Sequence, residues 1–220
     1  SGTANILKLV PGAAKTLSGV VARDLTGSPS GFAVSILSDT NQASTTGGAV
    51  RGVLIDGLRG NPPELVDVAH PDVSGLTIRN VTVTGTTNTR AVSINQSGTC
   101  VADVVIEGVT TVSGYTGNVF HLGTGATATT VKLCNVVVKH GASGNVVASS
   151  GTVGSLQMSN ITQTGGTSLA YLDNGACPLV SIDGLYCTAG LGVAWYVNSP
   201  IEIQLSGVTA TPSNGRLAGN

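Results

Sequence analysis

The sequence predicts an all-β fold, a right-handed single-stranded parallel β-helix of about eight coils with three strands per coil, and three observations predict it. Charged residues are only 10% of the chain and aromatics 3%, while Gly, Val, Thr and Ser dominate. No stretch carries apolar residues at helical spacing, and β-branched residues suit a pleated, half-buried surface. The second observation is a repeat, and the third is a column of Asn and Gly inside it.

The repeat reads LTIRNVTVTG (76–85), VVIEGVTTVSG (104–114), VKLCNVVVKHG (131–141), LQMSNITQTGG (156–166), VSIDGLYCTAG (180–190) and IQLSGVTATPS (203–213). VARDLTG (21–27) and VLIDGLRG (53–60) fit it more loosely. The residue after the Asn/Gly position recurs at Leu25, Leu58, Val81, Val109, Val136, Ile161, Leu185 and Val208, with spacings of 33, 23, 28, 27, 25, 24 and 23. A period of this length is the signature of a solenoid.

The column Asn80, Gly108, Asn135, Asn160, Gly184 and Gly207 carries the argument. Asn and Gly share tolerance of the left-handed backbone conformation. The column is therefore a one-residue corner joining two short strands, and Asp24 and Gly57 are compatible members. Alternation then points Ile78, Ile106, Leu133, Met158, Ile182 and Leu205 inward before the corner, and Val81, Val109, Val136, Ile161, Leu185 and Val208 inward after it. A third strand follows at AVSIN (91–95), VFHLG (119–123), VVASS (146–150), AYLDN (170–174) and WYVN (195–198). A β-sandwich also spaces its strands closely, but it needs no Asn/Gly column at fixed register.

Residues 51–211 form the β-helix in this reading. Residues 1–50 are an irregular capping region with a candidate first coil, and 212–220 are a C-terminal tail. A solenoid needs caps because an open coil leaves strand edges unpaired.

A net charge of −1 argues against nucleic acid, which needs a basic stripe. No apolar run reaches the length needed for membrane insertion. Cys100, Cys134, Cys177 and Cys187 lack zinc-ligand spacing and read as packing residues, with Cys177–Cys187 the first pairing to check. No metal and no cofactor is expected.

Stacking brings residues far apart in sequence to about 5 Å. Asp56, Arg79 and Glu107 would form a charge ladder, and Thr82, Thr110, Thr162 and Thr209 a threonine ladder interrupted by Lys139 and Tyr186. The threonine face is compatible with ice binding, with a subunit contact, or with plain exposed strand. The third face gathers the ring-bearing residues His121, Tyr171, Trp195 and Tyr196, with Asn95, Asp173 and Asn198 at the adjoining turn. Rings stack on sugars while Asn and Asp bind hydroxyls, so these residues are the expected glycan-binding set, and plain surface is the alternative. Asp173 is the one obvious acid on this face, hence the expected catalytic residue if the chain is an enzyme.

The coil period, the Asn corner ladder and the Thr/Val/Gly-rich composition resemble the pectate-lyase-like β-helix superfamily. Within it the chain is most similar to a bacteriophage tailspike or tail-fibre β-helix domain. The resemblance spans about residues 51–211 and lies in architecture. Polygalacturonase signatures and a pectate-lyase calcium cluster are absent from the sequence. The resemblance implies an extracellular homotrimer on the virion tail that recognises a bacterial surface polysaccharide. A depolymerase (hydrolase or lyase) and a purely structural or adhesive β-helix remain the alternatives.

Overall fold

The computed structural model describes residues 5–12, 14–38, 48–86, 89–173, 177–188, 191–195, 202–210 and 218–219. Every described element is a strand, and every strand pairing is parallel.

Two sheets make up the molecule. The first stacks short strands: β1 (Leu7–Leu9), β4 (Phe32–Leu37), β6 (Glu64–Ala69), β8 (Arg90–Ile94), β10 (Asn118–Leu122), β12 (Asn145–Ser149), β14 (Ser168–Leu172), β16 (Leu191–Trp195) and β18 (Ala218–Gly219). The second stacks long ones: β5 (Ala49–Gly60), β7 (Val73–Val83), β9 (Cys100–Thr111), β11 (Thr127–Lys139), β13 (Thr152–Thr164), β15 (Leu179–Cys187) and β17 (Glu202–Ala210). Its first level is shared by β2 (Thr16–Ser18) and β3 (Val21–Thr26), both paired with β5. The chain alternates between the sheets, which is a parallel β-helix. Among the described residues the long sheet has eight levels, so seven steps separate its coils.

The corner column sits where expected. Asp24, Gly57, Asn80, Gly108, Asn135, Asn160, Gly184 and Gly207 all have φ between 51° and 76°. The ladder of backbone pairs runs straight through the corner. Two of the three strands expected per coil are therefore one bent strand, with a pair of outward residues at the bend. Side chains stitch the corner as well. Asn80 Nδ2 donates to Asp56 Oδ1 (2.7 Å), Asn135 Nδ2 to Glu107 Oε1 (3.3 Å) and Asn160 Nδ2 to Asn135 Oδ1 (3.3 Å). A second corner, at Gly19, Gly52 and Gly75 (φ 58–66°), precedes it in the first three levels. In later coils Asp103, Thr130 and Ser155 stack at this bend without a positive φ, so no Asn/Gly column marks it in the sequence.

The expected inward residues are buried except for Leu205 and Val208, both on β17. Ile78, Ile106, Leu133, Met158 and Ile182 fill one column and Val81, Val109, Val136, Ile161 and Leu185 the other. Leu205 holds the right register opposite Ile182 but is 44% exposed, because β17 is the last level of its sheet and nothing described covers it. The stacking also starts ahead of residue 51. The candidate first coil is regular, with β1, β2, β3 and β4 already in both sheets, and Ala218–Gly219 of the tail pair with β16. None of the four cysteines is in a disulfide; Cys177 precedes β15 and Cys187 ends it.

Candidate functional site

On the short-strand sheet the register runs Ser35–Asp67–Ser93–His121–Ala148–Tyr171–Ala194, one residue per coil. The flanking columns, such as Val66–Val92–Phe120–Val147 and Val68–Ile94–Leu122, are fully buried core. His121 and Tyr171 are half-buried, so this column meets solvent at its far end.

The structure brings Ser93, His121 and Tyr171 into one column, as the alternation requires. Its next member differs from the sequence expectation. The last short strand forms at Leu191–Trp195 rather than at 195–198, so Ala194 faces Tyr171 and Trp195 faces Leu172. The unbroken run VAWYV offers no alternation by which to set that register. Tyr196 and Asn198 lie outside the described residues. Asn95 is exposed at the turn after β8, and Asp173 is half-buried at the turn after β14, where its backbone N–H donates to Ser149 O at 2.6 Å.

The main feature of the site was missed in the sequence. Strand β6, ELVDVA, extends the column with Asp67 and places Glu64 at its edge. No alternation flags β6, because apolar residues sit on both sides of it and all six residues are buried. Arg90 Nη1 donates to Glu64 Oε1 at 2.6 Å, and Glu64 and Arg90 are register partners. The edge continues as a polar ladder. Asn145 donates from its backbone and its side chain to Asn118 Oδ1, and the Ser168 N–H donates to Asn145 Oδ1.

Asp67 has no such partner. It is 8% exposed, and no hydrogen bond or ion pair reaches its carboxyl among the described residues. Burial raises its pKa to about 7; the nearby Glu64 adds to the rise and Arg90 opposes it. The serines on either side are in the same condition. Ser35 and Ser93 are fully buried and their Oγ atoms are unpaired, as is the buried Nδ1 of His121. Burial, with Arg90 adding to it, lowers the His121 pKa to about 4, so the ring is neutral at pH 7. Four consecutive coils thus present unfilled hydrogen-bonding capacity, where leaving a buried group unpaired costs about 1–3 kcal/mol each.

The acids divide into two roles. Glu64 is ion-paired with Arg90, while Asp67, its pKa raised to about 7, can donate a proton near neutrality. Asp173 stands four coils from Asp67, about 19 Å, so the two cannot act on one bond. Among the described residues no group of three His, Cys, Asp or Glu could hold a metal ion, and no helix is long and apolar enough to cross a membrane.

The long sheet offers a concavity. A groove of about 260 Å³ lies over Lys132, Cys134, Gln157, Ser159, Ser181 and Asp183. Its polar groups are ordinary strand side chains. Cys134 Sγ donates to Ile106 O, and Ser206 Oγ donates to Asp183 Oδ1.

Comparison of the chain with protein-family models, with curated proteins and with solved structures gave no match.

Proposed function

We propose that this β-helix recognises a bacterial surface polysaccharide along the outward column of its short-strand sheet. The observation that carries the reading is the pair of half-buried side chains His121 and Tyr171, which stand in one register column where it meets solvent. Sugar hydroxyls both donate and accept, so they can pair with the imidazole, and a ring face can stack on Tyr171. In this reading the chain acts as a tailspike-type receptor-binding domain, extracellular on a virion tail and assembled as a homotrimer. The resemblance in coil period and corner ladder supports that assignment. So does the low-charge Thr82–Thr110–Val137–Thr162–Tyr186–Thr209 face, which suits a subunit contact. Calorimetric titration with a panel of surface-polysaccharide fragments tests it. Tyr171→Ala and His121→Ala should each weaken binding at least tenfold, whereas Thr162→Ala should not. Binding that is indifferent to both substitutions ends the reading.

Cleavage is a second reading, favoured by the Glu64–Asp67 pair. Asp67 would protonate the glycosidic oxygen as the bond from the anomeric carbon breaks. Glu64 would take a proton from the water that forms the new bond to that carbon. Glu64 begins β6 three residues before Asp67, and its carboxylate raises the Asp67 pKa, which supports the pairing. Release of reducing ends should vanish in Asp67→Asn while the polysaccharide still binds, and should persist in Asp173→Asn. Release that survives Asp67→Asn removes the pair from the chemistry.

A further inference from the structure

Gln163, near the end of β13, is a fully buried polar side chain, and its amide ties the ends of β11 and β15 to the start of β14. Its Nε2 donates to Gly165 O at 3.3 Å and to Ser168 O at 3.1 Å, where the chain turns into β14. Its Oε1 accepts from Cys187 Sγ at 3.7 Å, and its Nε2 lies 3.2 Å from His140 Nδ1. His140 follows β11 and is itself buried, with its Nε2 3.0 Å from Gly117 O.

These contacts fix the protonation state of the imidazole. Carbonyl oxygens only accept, so the Gln163 amide must aim its NH2 at Gly165 and Ser168, which leaves His140 Nδ1 as an acceptor. Gly117 O in turn requires the proton on Nε2. The ring has no room to turn. A Cβ at Gly166 would stand 2.7 Å from Nδ1, one at Gly144 would stand 2.8 Å from Nε2, and Tyr115 stacks on the ring face. A second proton can therefore go only to Nδ1, where it meets the N–H of Gln163.

We propose that Gln163 and His140 are positioning residues for Tyr171, and that a proton taken up by His140 unlatches the turn that sets it. Once protonated, Nδ1 is a donor and opposes the Gln163 NH2. An amide flip would offer Oε1 to Nδ1, but it would also aim Oε1 at Gly165 O and Ser168 O. Either way both carbonyls lose their donor. β14 begins at Ser168 and carries Tyr171, so the freed turn lies directly upstream of that ring. The Ser168 N–H keeps its bond to Asn145 Oδ1, so the strand loosens without detaching. Burial lowers the His140 pKa to about 4, with the Gly117 hydrogen bond opposing, so the latch is closed at neutral pH and opens as pH falls through about 4. Of the titratable groups around the ring, Tyr115 stacks on it and Cys187 reaches the far side of the Gln163 amide. Lys139, its chain neighbour, is exposed, and no carboxylate contributes to the shift. The consequence for a ligand rests on the glycan reading above: acid weakens the hold on the ring that stacks on the sugar.

NMR titration of the labelled chain from neutral pH to pH 3 tests the latch without any glycan. The His140 ring carbons, the Gly165, Gly166 and Ser168 amides and the Tyr171 ring should share a midpoint near 4, and the amide and Tyr171 shifts should be absent in His140→Gln. Gln163→Glu gives Nδ1 a carboxylate to bond, so it should raise the His140 midpoint by more than one pH unit, which a merely structural role would not do. Should either variant fail to fold, the coincidence of midpoints in the wild-type chain decides alone. A turn and a Tyr171 ring that stay fixed while His140 titrates, or that still titrate in His140→Gln, overturn the proposal. For a polysaccharide fragment that binds, affinity should fall about tenfold further between pH 5.5 and pH 3.5 in the wild type than in His140→Gln, which keeps His121. An equal fall in the two proteins overturns the positioning of Tyr171, whereas a chain that binds no fragment at any pH ends the glycan reading and leaves the latch to the NMR result.

Discussion

Two outward columns of this solenoid stack polar and charged residues at the same coil spacing, and they treat them in opposite ways. Beside the long-sheet corner Arg79 Nη2 donates to Asp56 Oδ2 at 2.8 Å, and Asn80, Asn135 and Asn160 fill the remaining acceptors. On the short sheet Ser35, Asp67, Ser93 and His121 are buried more deeply and are left unpaired. The first column bonds its side chains to one another, the buried Arg79 Nε excepted, and serves to hold register. The second is costly to fold in this form, which makes it the place where a ligand has most to supply.

The largest expected effect comes from removing the Asp67 charge. The Asp67 pKa is about 7 in the folded chain against 3.8 when unperturbed. Below pH 3.8 both states are protonated and the group costs nothing. As pH rises through 7 the unfolded state ionises first, so the penalty grows and then levels off at about 4 kcal/mol as an upper bound. Asp67→Asn should therefore stabilise the protein by a few kcal/mol at pH 8 and leave it unchanged at pH 4, as read from urea unfolding. Equal stability at pH 8 would put this column on a par with the corner.

Next is the buried cluster at the turn between the sheets. His140 stacks on Tyr115 with ring centroids 5.5 Å apart, and its Nε2 lies 3.0 Å from Gly117 O. Burial lowers its pKa from 6.5 to about 4, with the Gly117 hydrogen bond opposing. Between those values the unfolded state binds the proton first, so about 3 kcal/mol of stability is lost as pH falls from 6.5 to 4. His140→Gln should flatten that slope in the same unfolding experiment, even if it lowers stability throughout.

Smaller effects belong to the corner. Gly184 has φ +68°, and a Cβ there would lie 2.9 Å from Asn160 Oδ1. Gly184→Val should cost about 2 kcal/mol through the left-handed backbone and the crowding of Asn160. The smallest change is expected at the exposed ion pair, where Arg79→Ala should leave the urea midpoint where it was. A marked drop would mean that the corner column does more than keep register.

The corner was legible because one backbone requirement, a positive φ, restricts the side chain in every coil from Asp24 to Gly207. The apolar columns on either side were legible because outward residues there are polar. Legibility failed where that contrast fails. The apolar residues of β6 sit on both sides of Asp67, and Phe32–Leu37 is a nearly unbroken apolar run. The reading consequently began the third strand at residue 91 and left Glu64, Asp67 and Ser35 out of the column. At the other end the run VAWYV invited a register that the backbone does not adopt. Asp173 drew attention as the acid of a recognisable strand, while the pair on β6 needed the stacking to be seen.

The most direct test of the central claim, that the Ser35–Asp67–Ser93–His121 column buries polar groups without partners, is the titration of the Asp67 carboxyl carbon by NMR. A midpoint near 7 that falls in Glu64→Gln is the predicted result. A midpoint in the ordinary aspartate range would mean that the carboxyl is solvated or already partnered, and the claim would fail.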